Sequence, residues 1–159
     1  MLKEGDAAPA FVLPDADMAM FDSATLLGRH AVLFFYAKDE TPGCITEAVE
    51  FSDREDRFGS ADCEVLGISR DDCLSHAAFR DKHGLALTLL ADTEGEVCRL
   101  FGVLQEKHRE GETVGRLAVQ RSTFILDRAG IVRHAFYGVN PRSHAAEVLK
   151  LVRQLCKGN

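Results

Sequence analysis

Apolar and polar positions along the chain predict strands that alternate with helices. A continuous apolar run at 31–36 is typical of a buried strand, and a second run at 64–69 repeats the pattern. Each run is followed by a stretch with apolar residues at helical spacing, one at about 43–58 and one from 71 or 72 to about 83. Strands that alternate with helices favour an α/β fold, in which helices cover a central sheet.

The remaining segments extend this pattern and end it with a hairpin. Two short strands flank the turn at 128–130, which is typical of a β-hairpin, and the charged stretch at 105–115 is predicted as a loop. The other predicted elements are an N-terminal arm at 10–13, a strand at 85–90, a short helix at 95–101, hairpin strands at 123–127 and 131–135, and an amphipathic helix at 143–155. The sequence therefore predicts an α/β fold with a mixed central β-sheet flanked by helices, in a single domain over residues 1–159.

Composition and charge exclude several classes of partner. The 159 residues are 46% apolar and 28% charged, which is ordinary for a globular protein with its own core. A net charge of −6 and a pI near 5.5 argue against nucleic acid or an anionic membrane as partner, because neither would gain counterion-release energy from this chain. No apolar run reaches the ~18 residues of a membrane-spanning helix, and residues 1–6 lack a signal-peptide core, so we expect a cytoplasmic protein.

The cysteines form no recognisable framework. They number five, their spacing is irregular, and no Cys-x-x-Cys pair indicates a zinc site or a redox dithiol. His76 follows Cys73 by three residues, but no second pair with metal-ligand spacing accompanies them. We therefore expect no metal or other cofactor, and the histidines, most of them flanked by charges, are predicted on the solvated surface.

Cys44 is the exception among these cysteines. It lies where the strand at 31–36 gives way to the helix that begins near Gly43. A thiol at the start of a helix is close to unpaired backbone N–H groups and to the positive end of the helix dipole. Both favour the thiolate, which is the nucleophilic form, so the sequence predicts cysteine chemistry at this position.

Four blocks of the chain resemble one family, the peroxiredoxins. The segment Phe35-Tyr36-Ala37-Lys38-Asp39-Glu40-Thr41-Pro42-Gly43-Cys44-Ile45-Thr46-Glu47 closely resembles the peroxidatic loop of its bacterioferritin-comigratory or Q-type branch. Further matches, in the family's order, lie at 5–15, at 65–71 and at 121–127. The resemblance covers nearly the whole chain, and it implies a thioredoxin-like fold and a thiol-dependent peroxidase that needs no cofactor.

The resemblance also implies roles for four side chains. Cys44 would be the peroxidatic cysteine, whose thiolate attacks a hydroperoxide and becomes a sulfenic acid. The Thr41 hydroxyl would accept a hydrogen bond from the peroxide, and Arg121 would favour the thiolate and donate to both peroxide oxygens. Glu47 would hold the Arg121 guanidinium in place. Each role has a competing interpretation. These are Thr41 as a helix cap, Arg121 as a surface arginine, Glu47 as an ordinary first-turn carboxylate and Cys44 as an inert buried thiol.

The chain departs from the family pattern at three positions. Ala37 stands where the family has proline, so we expect a less restrained loop, slower peroxide reduction or a preference for bulky hydroperoxides. The two usual positions of a resolving cysteine are Val49 and Arg80 here. Either Cys73, at the start of the next helix, resolves the sulfenic acid, or an external thiol does so in a one-cysteine mechanism. Thioredoxin or glutathione with glutaredoxin would be the reductant, and the branch implies a monomer or weak dimer.

Two other functions compete with a peroxidase. A thiol–disulfide oxidoreductase on the same fold would need a dithiol, but Thr41 stands where the first cysteine of a Cys-x-x-Cys pair would be. A peroxide sensor or holdase could use oxidation of Cys44 as a signal. Repeated turnover with a physiological thiol would distinguish an enzyme from a sensor, which would stop after one oxidation.

Overall fold

A five-stranded mixed sheet is the centre of the computed structural model, which describes residues 1–108 and 110–157. In chain order the elements are β1 (Val12–Pro14), β2 (Met20–Asp22), a 3₁₀ turn (Ser23–Leu26), β3 (His30–Phe35), α1 (Pro42–Ser52), α2 (Glu55–Ser60), β4 (Cys63–Ser69), α3 (Cys73–His83), β5 (Thr88–Ala91), α4 (Glu96–Leu100), β6 (Leu104–Lys107), β7 (Arg116–Val119), β8 (Ser122–Leu126), β9 (Val132–Tyr137) and α5 (His144–Lys157). The strand order in the sheet is β5-β4-β3-β8-β9.

The central strand β3 has neighbours of both directions. It pairs in parallel with β4, and β4 in parallel with β5, whereas β8 runs antiparallel to β3 and β9 antiparallel to β8. The predicted mixed sheet flanked by helices is therefore confirmed. In the β3–β8 register Phe35 lies opposite Ser122, so the residue before Ser122 arrives at the carboxyl end of β3.

Alternate side chains of β3 enter two separate hydrophobic layers. Phe34 faces α1 and stacks on Phe51 with ring centroids 4.6 Å apart. Phe35 points to the other face, where it meets Phe101 at 5.1 Å and the edge of Phe124 at 5.7 Å. Because every residue of β3 is buried, the strand is a fixed support for the loop and helix that follow it.

The helix predicted at 43–58 is two helices. It breaks between Ser52 and Glu55, where Asp53 and Arg54 belong to neither helix. The face of α1 that packs on the sheet contains Cys44, Glu47, Ala48 and Phe51. Glu47 is therefore buried, although a carboxylate counts as a polar position in the sequence pattern and so indicates the exposed face of the helix. Among the described residues, no helix combines the length and the apolar character needed to cross a bilayer.

The charged segment at 105–115 is not entirely a loop. Its start belongs to β6, which pairs antiparallel with β7 in a separate two-stranded sheet; Arg109 lies outside the described residues. Most side chains of both strands are exposed. A strand that faces water on both sides shows no alternation of apolar and polar residues, and so the pattern missed it.

The prediction that the histidines are on the solvated surface is wrong for three of six. His30 and His76 are fully buried, and His144 is 7% exposed. The Nε2 atom of His144 lies 2.9 Å from the Thr123 hydroxyl, and His76 has polar partners on both ring nitrogens. These partners are distant in sequence, so nothing in the flanking residues indicated that the imidazoles could be satisfied inside the protein.

Candidate active site

Cys44 lies in the first turn of α1, directly after the loop that leaves β3. Pro42 is the first helical residue, and Thr41 has the extended backbone of an N-cap position. The first helical hydrogen bond runs from the Ile45 N–H to the Thr41 carbonyl at 2.9 Å. The Cys44 N–H therefore belongs to the turn whose amides have no partner within the helix, as the sequence predicted. The Cys44 side chain is 1% exposed.

Arg121 joins Cys44 to Glu47. Its Nη2 donates to the Cys44 sulfur at 3.4 Å, and its Nη1 donates to Glu47 Oε1 at 2.9 Å. Arg121 immediately precedes β8, and its carbonyl accepts from the N–H groups of Gly138 and Val139. Strand pairing and these backbone bonds fix the arginine, so a cation is held against the thiol rather than drawn to it from solvent.

Gly43 makes this approach of the guanidinium possible. A Cβ at this position would lie 2.9 Å from Arg121 Nη2 and 3.6 Å from the Pro141 ring. The first distance is shorter than real Cβ contacts, so any larger residue would displace the guanidinium from the Cys44 sulfur.

Glu47 is an ionisable group in an apolar layer. Its side chain has no exposure, and within the described residues its Oε2 has no hydrogen-bond partner. Burial raises the pKa of Glu47 to about 7, although the adjacent Arg121 cation opposes the shift. The carboxyl is thus poised to change its charge near neutral pH, next to the cation that faces Cys44.

The Thr41 hydroxyl does not cap α1. It donates to the Lys38 carbonyl at 2.8 Å, and no side-chain bond reaches the helix amides. The capping interpretation of this side chain is therefore wrong. A hydroxyl has one proton and two lone pairs, so a hydroxyl that donates to a carbonyl presents only acceptor capacity to a third group.

A buried polar cluster next to this loop was missed by the sequence analysis. It consists of side chains that follow the carboxyl ends of β3 and β4, together with two from α3: Tyr36, Asp39, Asp71, Ser75 and His76. Asp39, Asp71 and His76 each offer one possible metal-ligand atom, and these three atoms lie within 4.8 Å of one another, a spacing that could hold a cation. Each of these atoms already has a hydrogen-bond partner. The sequence did contain one signal of this cluster, because two neighbouring strands both end in polar residues.

Comparison with known proteins identifies the family. The AhpC/TSA family model matches residues 4–135. The chain is also 36% identical over 148 residues to the putative peroxiredoxin bcp of Coxiella burnetii, covering 93% of this chain and 97% of that protein. It belongs to the AhpC/TSA family of peroxiredoxins. As a peroxiredoxin it is a thiol-dependent peroxidase, and its relatives place it in the bacterioferritin-comigratory or Q-type branch.

Two further comparisons agree with this placement. A putative peroxiredoxin of Mycobacterium tuberculosis is 41% identical over 147 residues, 92% of each chain. The solved structure of the Xanthomonas campestris bacterioferritin comigratory protein superimposes with a TM-score of 0.87 at 34% identity over 92% of both chains. That protein is described for its alkyl peroxide reduction activity. The thioredoxin-like fold implied by the resemblance is thereby confirmed.

The other thiols of this peroxiredoxin are in different surroundings. Cys73 is the first residue of α3, free and partly exposed, and it is not in the group formed by Cys44, Glu47 and Arg121. Cys63 and Cys98 are buried, and burial raises the pKa of both thiols well above the usual range. Cys156, in the last turn of α5, donates to the Ala61 carbonyl at 3.2 Å. Of the alternatives to Cys44, Cys73 and Cys156 are partly exposed, and Cys63 and Cys98 are buried.

Proposed function

We propose that this peroxiredoxin reduces hydrogen peroxide and organic hydroperoxides through Cys44. The thiolate attacks one peroxide oxygen, the O–O bond breaks, and the departing oxygen takes a proton and leaves as water or an alcohol. Cys44 is oxidised to a sulfenic acid, and the hydroperoxide is reduced by two electrons. No metal, flavin or haem is required for this step.

The contact between Arg121 and Cys44 is the observation that carries the proposal. A guanidinium 3.4 Å from the sulfur stabilises the thiolate, and its remaining N–H groups can donate to the departing oxygen as charge develops there. Glu47 holds one side of the guanidinium, so its orientation does not depend on substrate. Thr41 supplies the complementary acceptor for the peroxide proton.

Regeneration requires a second thiol. We favour an external one, thioredoxin or glutathione with glutaredoxin: the first thiol forms a mixed disulfide with Cys44 and releases water, and a second thiol reduces it. Val49 and Arg80 occupy the positions usual for an internal partner. Cys73 is the internal alternative, and because Cys44 is buried within α1 it would require the first turn of that helix to unwind.

We propose that the protein acts in the cytoplasm, as a monomer or weak dimer. The five cysteines are free, which fits a reducing compartment. The net charge of −6 gives no support to a nucleic-acid or membrane partner. A sensor or holdase remains the second hypothesis for Cys44 oxidation, with no separate contact that favours it.

Mass spectrometry of the intact protein tests the proposal. The wild type and Cys44→Ser are treated with one equivalent of hydrogen peroxide in the presence of dimedone, which traps sulfenic acids. We expect a dimedone adduct on Cys44 in the wild type and none in Cys44→Ser. Loss of two hydrogens without an adduct would instead indicate a resolving cysteine, and its persistence in Cys73→Ser would exclude Cys73.

Turnover separates the peroxidase from the sensor. Peroxide consumption is followed with excess dithiothreitol and with a thioredoxin system, using Cys44→Ser as the blank. Many equivalents consumed per protein support the enzyme. A single equivalent, or no oxidation of Cys44 at all, would contradict the peroxidase proposal.

A further inference from the structure

Asp39 and His76 form a hydrogen-bonded pair inside the protein. His76 Nδ1 lies 2.8 Å from Asp39 Oδ2, and its Nε2 lies 3.0 Å from the Leu90 carbonyl. Burial works against ionisation of Asp39, yet the hydrogen bonds from His76, Tyr36 and Ser75 outweigh it and lower the pKa of this carboxyl.

This pair anchors the loop between β3 and α1 on α3. Asp39 accepts from Tyr36 at 2.7 Å through one oxygen, and from Ser75 at 2.8 Å through the other, which also faces His76. Tyr36, which follows β3, and Ser75 and His76, at the start of α3, thus all contact the Asp39 side chain. The carboxylate of Asp39 is 2% exposed, and the imidazole of His76 is not exposed, so water does not compete for these bonds.

The backbone of the same loop residue has a second anchor. The Asp39 N–H donates to Asp71 Oδ2 at 2.8 Å, and the same oxygen accepts from the Ser69 hydroxyl at 2.7 Å. The N–H of Asp39 and the carbonyl of Lys38 are the two ends of one trans peptide group, so they point in opposite directions. When Asp71 fixes the N–H, it also fixes where the Lys38 carbonyl points.

The Lys38 carbonyl points at Thr41. It accepts the Thr41 hydroxyl proton at 2.8 Å. A peptide whose N–H donates to a carboxylate is polarised, which makes its carbonyl a better acceptor. A chain of contacts therefore runs from Asp71 through one peptide to the Thr41 hydroxyl, the acceptor proposed above for the peroxide proton.

The turn between these two contacts is held in an uncommon conformation. Glu40 has φ of 66°, in the left-handed region that residues other than glycine rarely occupy. Its carboxylate lies 3.1 Å from His83 and 3.4 Å from Lys82 at the far end of α3. A strained residue next to Thr41 persists only where neighbouring contacts impose it, and the two anchors on Asp39 do so.

We propose that Asp71 is a positioning residue for peroxide reduction: through the Lys38–Asp39 peptide it holds the Thr41 hydroxyl as an acceptor for the hydroperoxide, while the Asp39–His76 pair holds the side chain of the same loop residue. This inference rests on the proposed peroxidase function of Cys44. Among the described residues, Asp71 forms hydrogen bonds with Asp39 and Ser69 and none with Cys44, so we expect its effect to be exerted through Thr41.

Stopped-flow kinetics test the proposal on the full chain. We expect Asp71→Ala to lower the second-order rate of Cys44 oxidation by about 10- to 100-fold, the range expected when a reacting group is misplaced. The rate of Cys44 alkylation by iodoacetamide, which needs the thiolate but not Thr41, should not fall. Asp71→Asn should restore most of the peroxide rate, because an amide oxygen can accept from the Asp39 N–H.

A neighbouring carboxylate provides the matched control. Asp72 accepts from the Ser75 N–H at 2.8 Å as the cap of α3, so Asp72→Ala weakens the start of the helix without removing any of the hydrogen bonds named above to Asp39. It should keep the wild-type peroxide rate. If Asp71→Ala does not fold by circular dichroism, Ser69→Ala replaces it, since it removes the other hydrogen bond of Asp71 Oδ2; a smaller loss, about 3- to 10-fold, is expected.

A double-mutant cycle with Thr41→Val decides the route. If Asp71 acts through Thr41, then Asp71→Ala adds no further loss to Thr41→Val. Losses that multiply, an equal loss in Asp72→Ala, or a wild-type rate in Asp71→Ala would each overturn the proposal. Failure of the peroxidase function itself would show differently, as the absence of Cys44 oxidation in the wild-type protein.

Discussion

Cys44 and Cys98 occupy the same position in two different helices. Each is the third residue of its helix, in α1 and α4, and their exposures are 1% and 0%. The first-turn amides of α4 are taken by a carboxylate, since Val97 and Cys98 donate to Asp92. The first turn of α1 has no side-chain cap, and the Cys44 sulfur meets the Arg121 guanidinium at 3.4 Å.

The difference shows that a helix start is not sufficient to activate a thiol. Burial, reinforced by the Asp92 carboxylate, raises the pKa of Cys98 well above its usual range. Cys44 is equally buried, but it faces a cation that tertiary structure supplies. The argument from the helix dipole applies equally to Cys44 and Cys98, so it does not tell the reactive thiol from the inert one.

Removing the cation should have the largest effect. We expect Arg121→Met to lower the rate of peroxide reduction by about 10²–10³-fold, the usual cost of losing a donor to developing charge. Combining it with Glu47→Gln avoids leaving a buried carboxyl without its partner. The rate constant with hydrogen peroxide, measured by stopped flow, checks this.

Arg116 is the matched control for that substitution. It lies on β7, is exposed, and pairs with Glu112 at 2.9 Å. Arg116→Met should leave the rate unchanged. A near wild-type rate in Arg121→Met would mean that the helix start alone activates Cys44, and the contrast with Cys98 would lose its explanation.

Glu47→Gln should change the pH dependence of stability and activity. The carboxyl has a pKa of about 7 in the folded protein and of 4.5 in the unfolded chain, so its favourable contribution is complete below pH 4.5 and is lost as pH rises through 7. Relative to the variant, the wild type should lose of the order of 2–3 kcal/mol between pH 5 and pH 8. Urea unfolding at both pH values measures this loss.

The activity profile gives a second observable for Glu47. Above pH 7 the ionised carboxyl shares the Arg121 cation with Cys44. We therefore expect the wild-type pH–rate profile to contain a step near pH 7, where Glu47 ionises. This step should disappear in Glu47→Gln, although the amide oxygen still accepts from Arg121. A step that persists unchanged would assign it to another group.

Ala37→Pro should have a smaller effect, through the restraint of the loop that leads to Cys44. Ala37 is exposed in the loop after β3, and proline there would restrict φ. A restraint of ~0.4–1 kcal/mol corresponds to rates changed by about 2- to 5-fold. We expect faster reduction of hydrogen peroxide and slower reduction of cumene hydroperoxide. Two unchanged rates would show that the alanine does not affect access to the thiol.

Cys98→Ala should have the smallest effect on activity. The thiol acts as a small apolar group between the sheet and α4, so we expect a stability loss of about 1 kcal/mol and an unaltered peroxide rate. Thermal unfolding and stopped flow measure the two quantities. A rate loss comparable with that of Arg121→Met would assign Cys98 a part in the reaction.

The elements most accessible from sequence were those with strong local patterns. The run at 31–36 became β3 with a shift of one residue, and the turn at 128–130 does join β8 to β9. The helix at 43–58 was overextended, because apolar spacing continues across the break at Asp53 and Arg54. The partners of buried His76 come from two segments that are distant from it in sequence, so its burial was not visible locally.

The sequence by itself determined the alternation of strands and helices, the strand-to-helix junction at Cys44 and, through its ordered motifs, the family. Periodicity and turn chemistry are local, and a linear pattern contains them. The charges around Cys44 were decided only by tertiary structure. Arg121 is 77 residues away, and it reaches the thiol because β8 pairs with β3 in the register that places Ser122 opposite Phe35. Electrostatic surroundings depend on distance in space, and sheet order sets that distance.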